Sequence, residues 1–201
     1  MTVFYIVCHG ETLFSKKGLM QGWCDSPLTN DAIEQTFALS NELKSIHFDG
    51  LYTSPSGRAL KTASIIGSQI GETPISVEAL KEVSYGYLEG ESKKNCFVDG
   101  KEGMCGFACF SGEDFYTAQH RIIRAMQEIA RKHPDQNILI VSHSQVIQLL
   151  LGLMDAGYRT MGSPCQLSVP NGSISILKVE ENHFELMKSP DLSYRFTSSS
   201  C

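Results

Sequence analysis

Apolar positions along the chain fall into short runs separated by stretches of helical period. Val3–Val7, Gly50–Thr53, Ile75–Val77 and Asn137–Ser142 are brief, rich in β-branched or aromatic residues, and read as strands. Between them, Asp31–Lys44 follows Thr29 as N-cap and predicts a helix with Ile33, Phe37 and Leu43 on one face. Ser54-Pro55-Ser56 opens a second helix to about Ile70, with Ala59, Ala63, Ile66 and Ile70 at helical spacing. Glu113–Lys132 turns Phe115, Ala118, Ile122, Met126 and Ile129 inward, and Val146–Met154 reads as a mostly buried helix. Gly172–Val179 and His183–Met187 predict a closing hairpin around Glu181-Asn182. Leu13–Pro27 and Leu80–Gly90 read as loops, and the tail Thr197–Cys201 as frayed. Ser92–Gly112 is glycine-rich with weak periodicity and reads as an inserted lid.

Strands that alternate with helices predict a three-layer α/β/α sandwich with a mainly parallel central sheet, one domain over 1–201. Two of the predicted strands run into histidine, at Cys8-His9-Gly10 and at Val141-Ser142-His143. Parallel strands bring both rings to the carboxyl edge of the sheet, where open α/β sheets bind ligands.

Composition narrows the function classes. With 201 residues, 42% hydrophobic and 19% charged, the chain is an ordinary globular domain. A net charge of -5 argues against nucleic acid as a partner. The first residues lack a basic stretch before the short apolar run, which argues against a secretory signal. The most apolar region, Ile138–Met154, is broken by Ser142-His143-Ser144-Gln145 and by Gln148, which argues against a membrane span. Seven cysteines at irregular spacing then predict reduced thiols and a cytoplasmic location. Cys105 and Cys109 alone approach zinc-ligand spacing and have no partner pair, so Cys96, Cys105 and Cys109 read as free thiols. No metal or other cofactor is expected. The sequence leaves the oligomeric state open, a homodimer included.

His9 and His143 with Arg58 at one sheet edge would form a pocket for a phosphoryl group. A neutral imidazole can attack phosphorus, and a guanidinium can hold the equatorial oxygens. The helix that starts at Ser144–Val146 would add its free N–H groups as an anion site. A leaving alkoxide needs a carboxylic acid, for which Glu11, Glu82 and Glu89 are the candidates by chain position. Cys8 as a thiolate nucleophile is unsupported, because phosphatases of that kind carry Arg six residues on and position 14 is Phe14.

The chain resembles the histidine phosphatase superfamily, the phosphoglycerate mutase-like family, over nearly its whole length. The resemblance rests on Cys8-His9-Gly10-Glu11-Thr12, Ser15, Gln21-Gly22, Asp25-Ser26-Pro27-Leu28-Thr29, Ser54 with Arg58-Ala59 and Thr62-Ala63, Leu80-Lys81-Glu82 with Gly86 and Glu89-Gly90, Val141-Ser142-His143, and Asn171 with Ser173. It implies a phosphomonoesterase for a small phosphorylated metabolite, with His9 as the nucleophile. Arg58 and His143 would bind the phosphoryl oxygens and Glu82 would be the acid and base. Cys8, Ser15, Gln21, Gly22 and Ser144 would line the phosphate pocket. The family's usual arginine before the histidine is Cys8 here, its asparagine is Ser15, and a basic residue before Gln-Gly is Leu19. A thiol is a weak donor, so Cys8→Arg should raise activity if the pocket has room. Lys16 and Lys17 are the nearest cations that could replace it. Two rivals follow: a phosphoglycerate mutase, whose members are usually longer, and a phospho-ligand binder without turnover.

Overall fold

In the computed structural model, residues 1–96, 106–155, 157 and 169–193 are described. The predicted lid therefore lies partly outside the described residues, and so do Cys105 and the tail. β1 (Thr2–Cys8) runs through the middle of a six-stranded sheet with β2 (Gly50–Thr53), β3 (Ile75–Ser76), β4 (Asn137–Ser142), β5 (Ile174–Glu180) and β6 (His183–Asp191). The order is β3-β2-β4-β1-β5-β6. The first four strands of that order are parallel, and β5 and β6 are antiparallel to their neighbours. The closing hairpin turns at Glu181 and Asn182, both with positive φ, as the sequence predicted.

The helices are α1 (Leu13–Lys16), α2 (Asn30–Leu43), α3 (Gly57–Ile70), α4 (Lys93–Cys96), α5 (Phe115–Lys132) and α6 (Ser144–Leu151). Successive strand residues point to opposite sheet faces. Phe4, Ile6, Ile138 and Ile140 accordingly pack with Ile122, Met126 and Ile129 of α5 and Val146, Ile147 and Leu150 of α6. Val7, Leu139 and Val141 pack on the other face against Leu39 and Leu43 of α2 and Ala59, Ala63 and Ile66 of α3. The result is the expected α/β/α sandwich.

The exceptions are local. Phe37 is 44% exposed, and α2 buries Ala32, Thr36, Leu39, Ser40 and Leu43 instead. Thr36 and Ser40 bury without cost to their hydroxyls, which donate to Ala32 O at 2.7 Å and Thr36 O at 2.6 Å. The predicted loop after β1 holds the short helix α1, closed by a capping box between Thr12 and Ser15. α6 starts two residues earlier than expected, directly after His143.

Candidate active site

The parallel register of β1 and β4 pairs Cys8 with Ser142, so the next residue on each strand is a histidine. The amide of His9 continues the ladder by donating to Ser142 O at 3.0 Å. The two rings meet edge to face with centroids 5.0 Å apart. Beside them, Ser54 follows β2 and donates its amide to Val141 O, which brings the start of α3 and Arg58 to the same edge.

His9 is nearly buried. Its Nδ1 lies 2.7 Å from Gly10 O, an acceptor only, so that nitrogen carries the proton. Its Nε2 accepts from Arg58 Nε at 3.1 Å. Burial, then the nearby Arg58 charge, lowers the imidazole pKa to about 3, and the bond to Gly10 works weakly against them. The ring is therefore neutral with its Nε2 lone pair directed into the site. Thr62 fixes the turn by accepting from Gly10 N at 3.2 Å while donating to Arg58 O at 2.8 Å.

Arg58 is 1% exposed, and its five N–H groups meet five acceptors. Besides His9, they are Cys24 O at 3.0 Å, Gln21 O at 3.2 Å, Gly22 O at 2.8 Å and Asp25 Oδ1 at 3.0 Å. Three of these are backbone carbonyls of the loop after α1. Gly22 is required there, because a Cβ would sit 2.3 Å from Val83 O and 2.5 Å from Glu89 Oε1.

His143 is fully buried, and its pKa is pushed well below the ordinary imidazole value by burial first and then by Arg58 and His9. Its Nε2 lies 2.7 Å from Ser54 Oγ, and its Nδ1 is a buried polar atom with no hydrogen-bond partner among the described residues.

Glu82 is 2% exposed and sits at the start of α6. Its Oε1 accepts from Val83 N at 2.9 Å and Val146 N at 3.0 Å, and its Oε2 from Gln145 N at 3.1 Å. Two of the helix-end donors expected to be free for a substrate anion, Gln145 N and Val146 N, are thus taken up by a carboxylate of the chain itself. Burial raises the Glu82 pKa; the three N–H bonds and Arg58 pull the other way and lose. Arg121 of α5 holds this segment, donating to Ala79 O, Lys81 O and Glu82 O at 2.7–2.9 Å while paired with Glu113 at 2.7 Å. Trp23 Nε1 adds a bond to Glu82 O at 3.0 Å.

The remaining sequence candidates make these contacts. Ser15 Oγ accepts from Thr12 N at 2.7 Å and donates to Thr12 O at 3.0 Å, so it closes α1. The Gln21 side chain accepts from Thr12 Oγ1 at 2.5 Å, and it is the Gln21 carbonyl that meets Arg58. Ser144 is the first residue of α6 and is half-buried. Cys8 has no exposed surface; its Sγ accepts from Asn171 Nδ2 at 3.9 Å, and burial pushes the thiol pKa far up. Glu11 Oε2 accepts from Thr29 Oγ1 at 3.4 Å. Sequence reasoning missed Asp25 as the partner of Arg58, Ser54 as the partner of His143, and Arg121. The hydroxyl and carboxylate positions were visible only as parts of a motif, and Arg121 had no signal beyond its place on a helix.

Strand-end histidines, a buried arginine and a buried glutamate at one sheet edge match a known class. The chain belongs to the histidine phosphatase superfamily (branch 1), whose family pattern matches residues 4–191. A 2,3-bisphosphoglycerate-dependent phosphoglycerate mutase of Cytophaga hutchinsonii is 33% identical over 164 residues, 75% of this chain and 76% of that one. The solved structure of YhfR from Bacillus stearothermophilus superposes with a TM-score of 0.82 at 28% identity, over 97% of this chain and 100% of that chain. A phosphoserine phosphatase of Entamoeba histolytica, solved with 3-phosphoglyceric acid, shares the fold with a TM-score of 0.83 at 22% identity, over 97% and 100% of the two chains.

Proposed function

We propose that this protein is a phosphomonoesterase that hydrolyses a small phosphorylated metabolite through a phosphohistidine on His9. The observation that carries the reading is the His9 tautomer: Nδ1–H is held on Gly10 O, so Nε2 is unprotonated, its lone pair accepting from Arg58 Nε. In the first step Nε2 attacks phosphorus and the ester P–O bond breaks. The neutral Glu82 carboxyl, favoured by burial, gives its proton to the leaving alkoxide. In the second step Glu82 takes a proton from water, the water oxygen attacks phosphorus, and the P–N bond breaks to return His9 and inorganic phosphate. Arg58 Nε–H, now on His9 Nε2, turns to a phosphoryl oxygen as the nitrogen is consumed. We assign the Ser54 hydroxyl proton to the shorter contact, His143 Nε2 at 2.7 Å, over Ser56 Oγ at 3.3 Å; the ring proton then lies on Nδ1, the atom without a partner among the described residues. It is then a donor for the same phosphoryl group, and the absence of any other partner supports that role.

Water as the acceptor is our reading over a second hydroxyl, because mutases of this family are usually longer than this chain. The experiment is to incubate the protein with an activated phosphate ester and analyse it intact without acid. The adduct is expected on His9, and His9→Ala is expected to lose at least about 10³-fold in turnover. An adduct on another residue, or turnover that survives His9→Ala, overturns the reading. Turnover that requires added 2,3-bisphosphoglycerate would assign a mutase instead.

A further inference from the structure

Glu89 has four bonds that the proposed reaction does not use. Its Oε1 accepts from Trp23 N at 2.8 Å and Tyr85 N at 3.0 Å, and its Oε2 from Gly22 N and Cys24 N, both at 3.0 Å. A carboxylate offers about four lone-pair sites, so these bonds use most of its acceptor capacity. Three of the donors are consecutive residues of the loop that grips Arg58.

A trans peptide unit is planar and rigid, with N–H and C=O pointing in opposite directions. The unit joining Gln21 to Gly22 donates its N–H to Glu89 and accepts from Arg58 Nη2 at its C=O. The unit joining Gly22 to Trp23 does the same. Two peptide dipoles therefore stand in parallel between a carboxylate and a guanidinium, each polarised by both ends. If Glu89 lets go, those two units are free to rotate, and Arg58 loses two of its four acceptors other than His9.

We propose that Glu89 is a positioning residue that acts on the reaction through Arg58: it aims the 21–23 peptides, which aim the guanidinium, which holds His9 Nε2. It exchanges no proton with substrate. Burial alone would raise the Glu89 pKa, but bonds from the Cys24 thiol and the backbone amides hold it below the usual carboxylate range, as suits an ionised acceptor.

The inference rests on the phosphatase reading, and a double-mutant cycle tests it with p-nitrophenyl phosphate, an alkyl phosphate and inorganic phosphate as probes. Glu89→Gln keeps one acceptor oxygen and turns an NH₂ toward amides that also donate. It should lower kcat/KM for both esters alike, by about tenfold to a hundredfold, and weaken inorganic phosphate binding in parallel. Arg58→Lys keeps a charge but has no fork to span three carbonyls. In that background the further loss from Glu89→Gln should shrink to about twofold or less. Should Glu89→Gln not fold, Glu89→Asp, which retracts the carboxylate, is read by the same criteria. A loss confined to the alkyl ester would make Glu89 an acid and overturn the proposal. A loss undiminished by Arg58→Lys, or no loss at all, also overturns it. A wild-type protein that neither turns over an ester nor binds phosphate defeats the phosphatase reading itself, and this inference with it.

Discussion

Glu82 and Glu89 are the same residue type on the same stretch of chain, and their surroundings pull them apart. Both accept backbone N–H bonds. Glu82 is almost fully buried, receives three such bonds, and is shifted toward the neutral acid. Glu89 is about half-buried, receives four such bonds, and is shifted toward the carboxylate. The balance between desolvation and donated bonds, not the residue type, is what lets our proposals give one to proton transfer and the other to scaffolding.

The largest effect that can sharpen this contrast comes from Glu82→Gln. An amide cannot give a proton, so hydrolysis of an alkyl phosphate should slow by about 10²–10⁴-fold. Nitrophenyl phosphate, whose leaving group needs no proton, should slow far less. Equal slowing of both esters, measured as kcat/KM, would erase the distinction from Glu89→Gln. A smaller test is the pH profile with the alkyl ester. The first step needs Glu82 protonated, so kcat/KM should fall as pH rises through its raised pKa, and Glu82→Gln should remove that limb. His9, neutral down to about pH 3, should add no inflection near about 6.5, where free imidazole titrates. An inflection there that persists in Glu82→Gln would mean a more exposed, protonatable nucleophile. The smallest effect expected is on stability. Sequence reasoning asks Cys8→Arg to restore a phosphate contact if there is room. The thiol is fully buried among Phe4, Ile6 and Leu80, with the Arg58 charge close enough to act on it. Overpacking of such a site costs about 1–3 kcal/mol. Cys8→Arg should therefore lower the melting temperature by several degrees and leave phosphate affinity no tighter, both readable by calorimetry.

The sheet edge was legible because it follows from short apolar runs and their termini. Two parallel strands that each end in histidine can put the rings nowhere else. The burial of α3 and α5 was legible for the same reason, since helical period reports the inward face. Phe37 misled because large apolar size was weighed above small hydroxyl residues that satisfy themselves on their own helix. The Arg58 cradle was illegible for a deeper reason. Its acceptors are mostly carbonyls of Gln21, Gly22 and Cys24, and side-chain identity says nothing about where a carbonyl points. Ser15 and Gln21, expected to line a phosphate pocket, both bond to Thr12 of the same segment, a local pairing that side-chain identity alone does not report.

Adjacent β-strands lie about 4.8 Å apart, and the His9 and His143 rings, one residue past a paired position on neighbouring strands, are 5.0 Å apart. The ladder thus acts as a ruler. Under the proposed reaction, the loops can differ to suit the alcohol half of an ester while the strand pair keeps the two rings at this spacing.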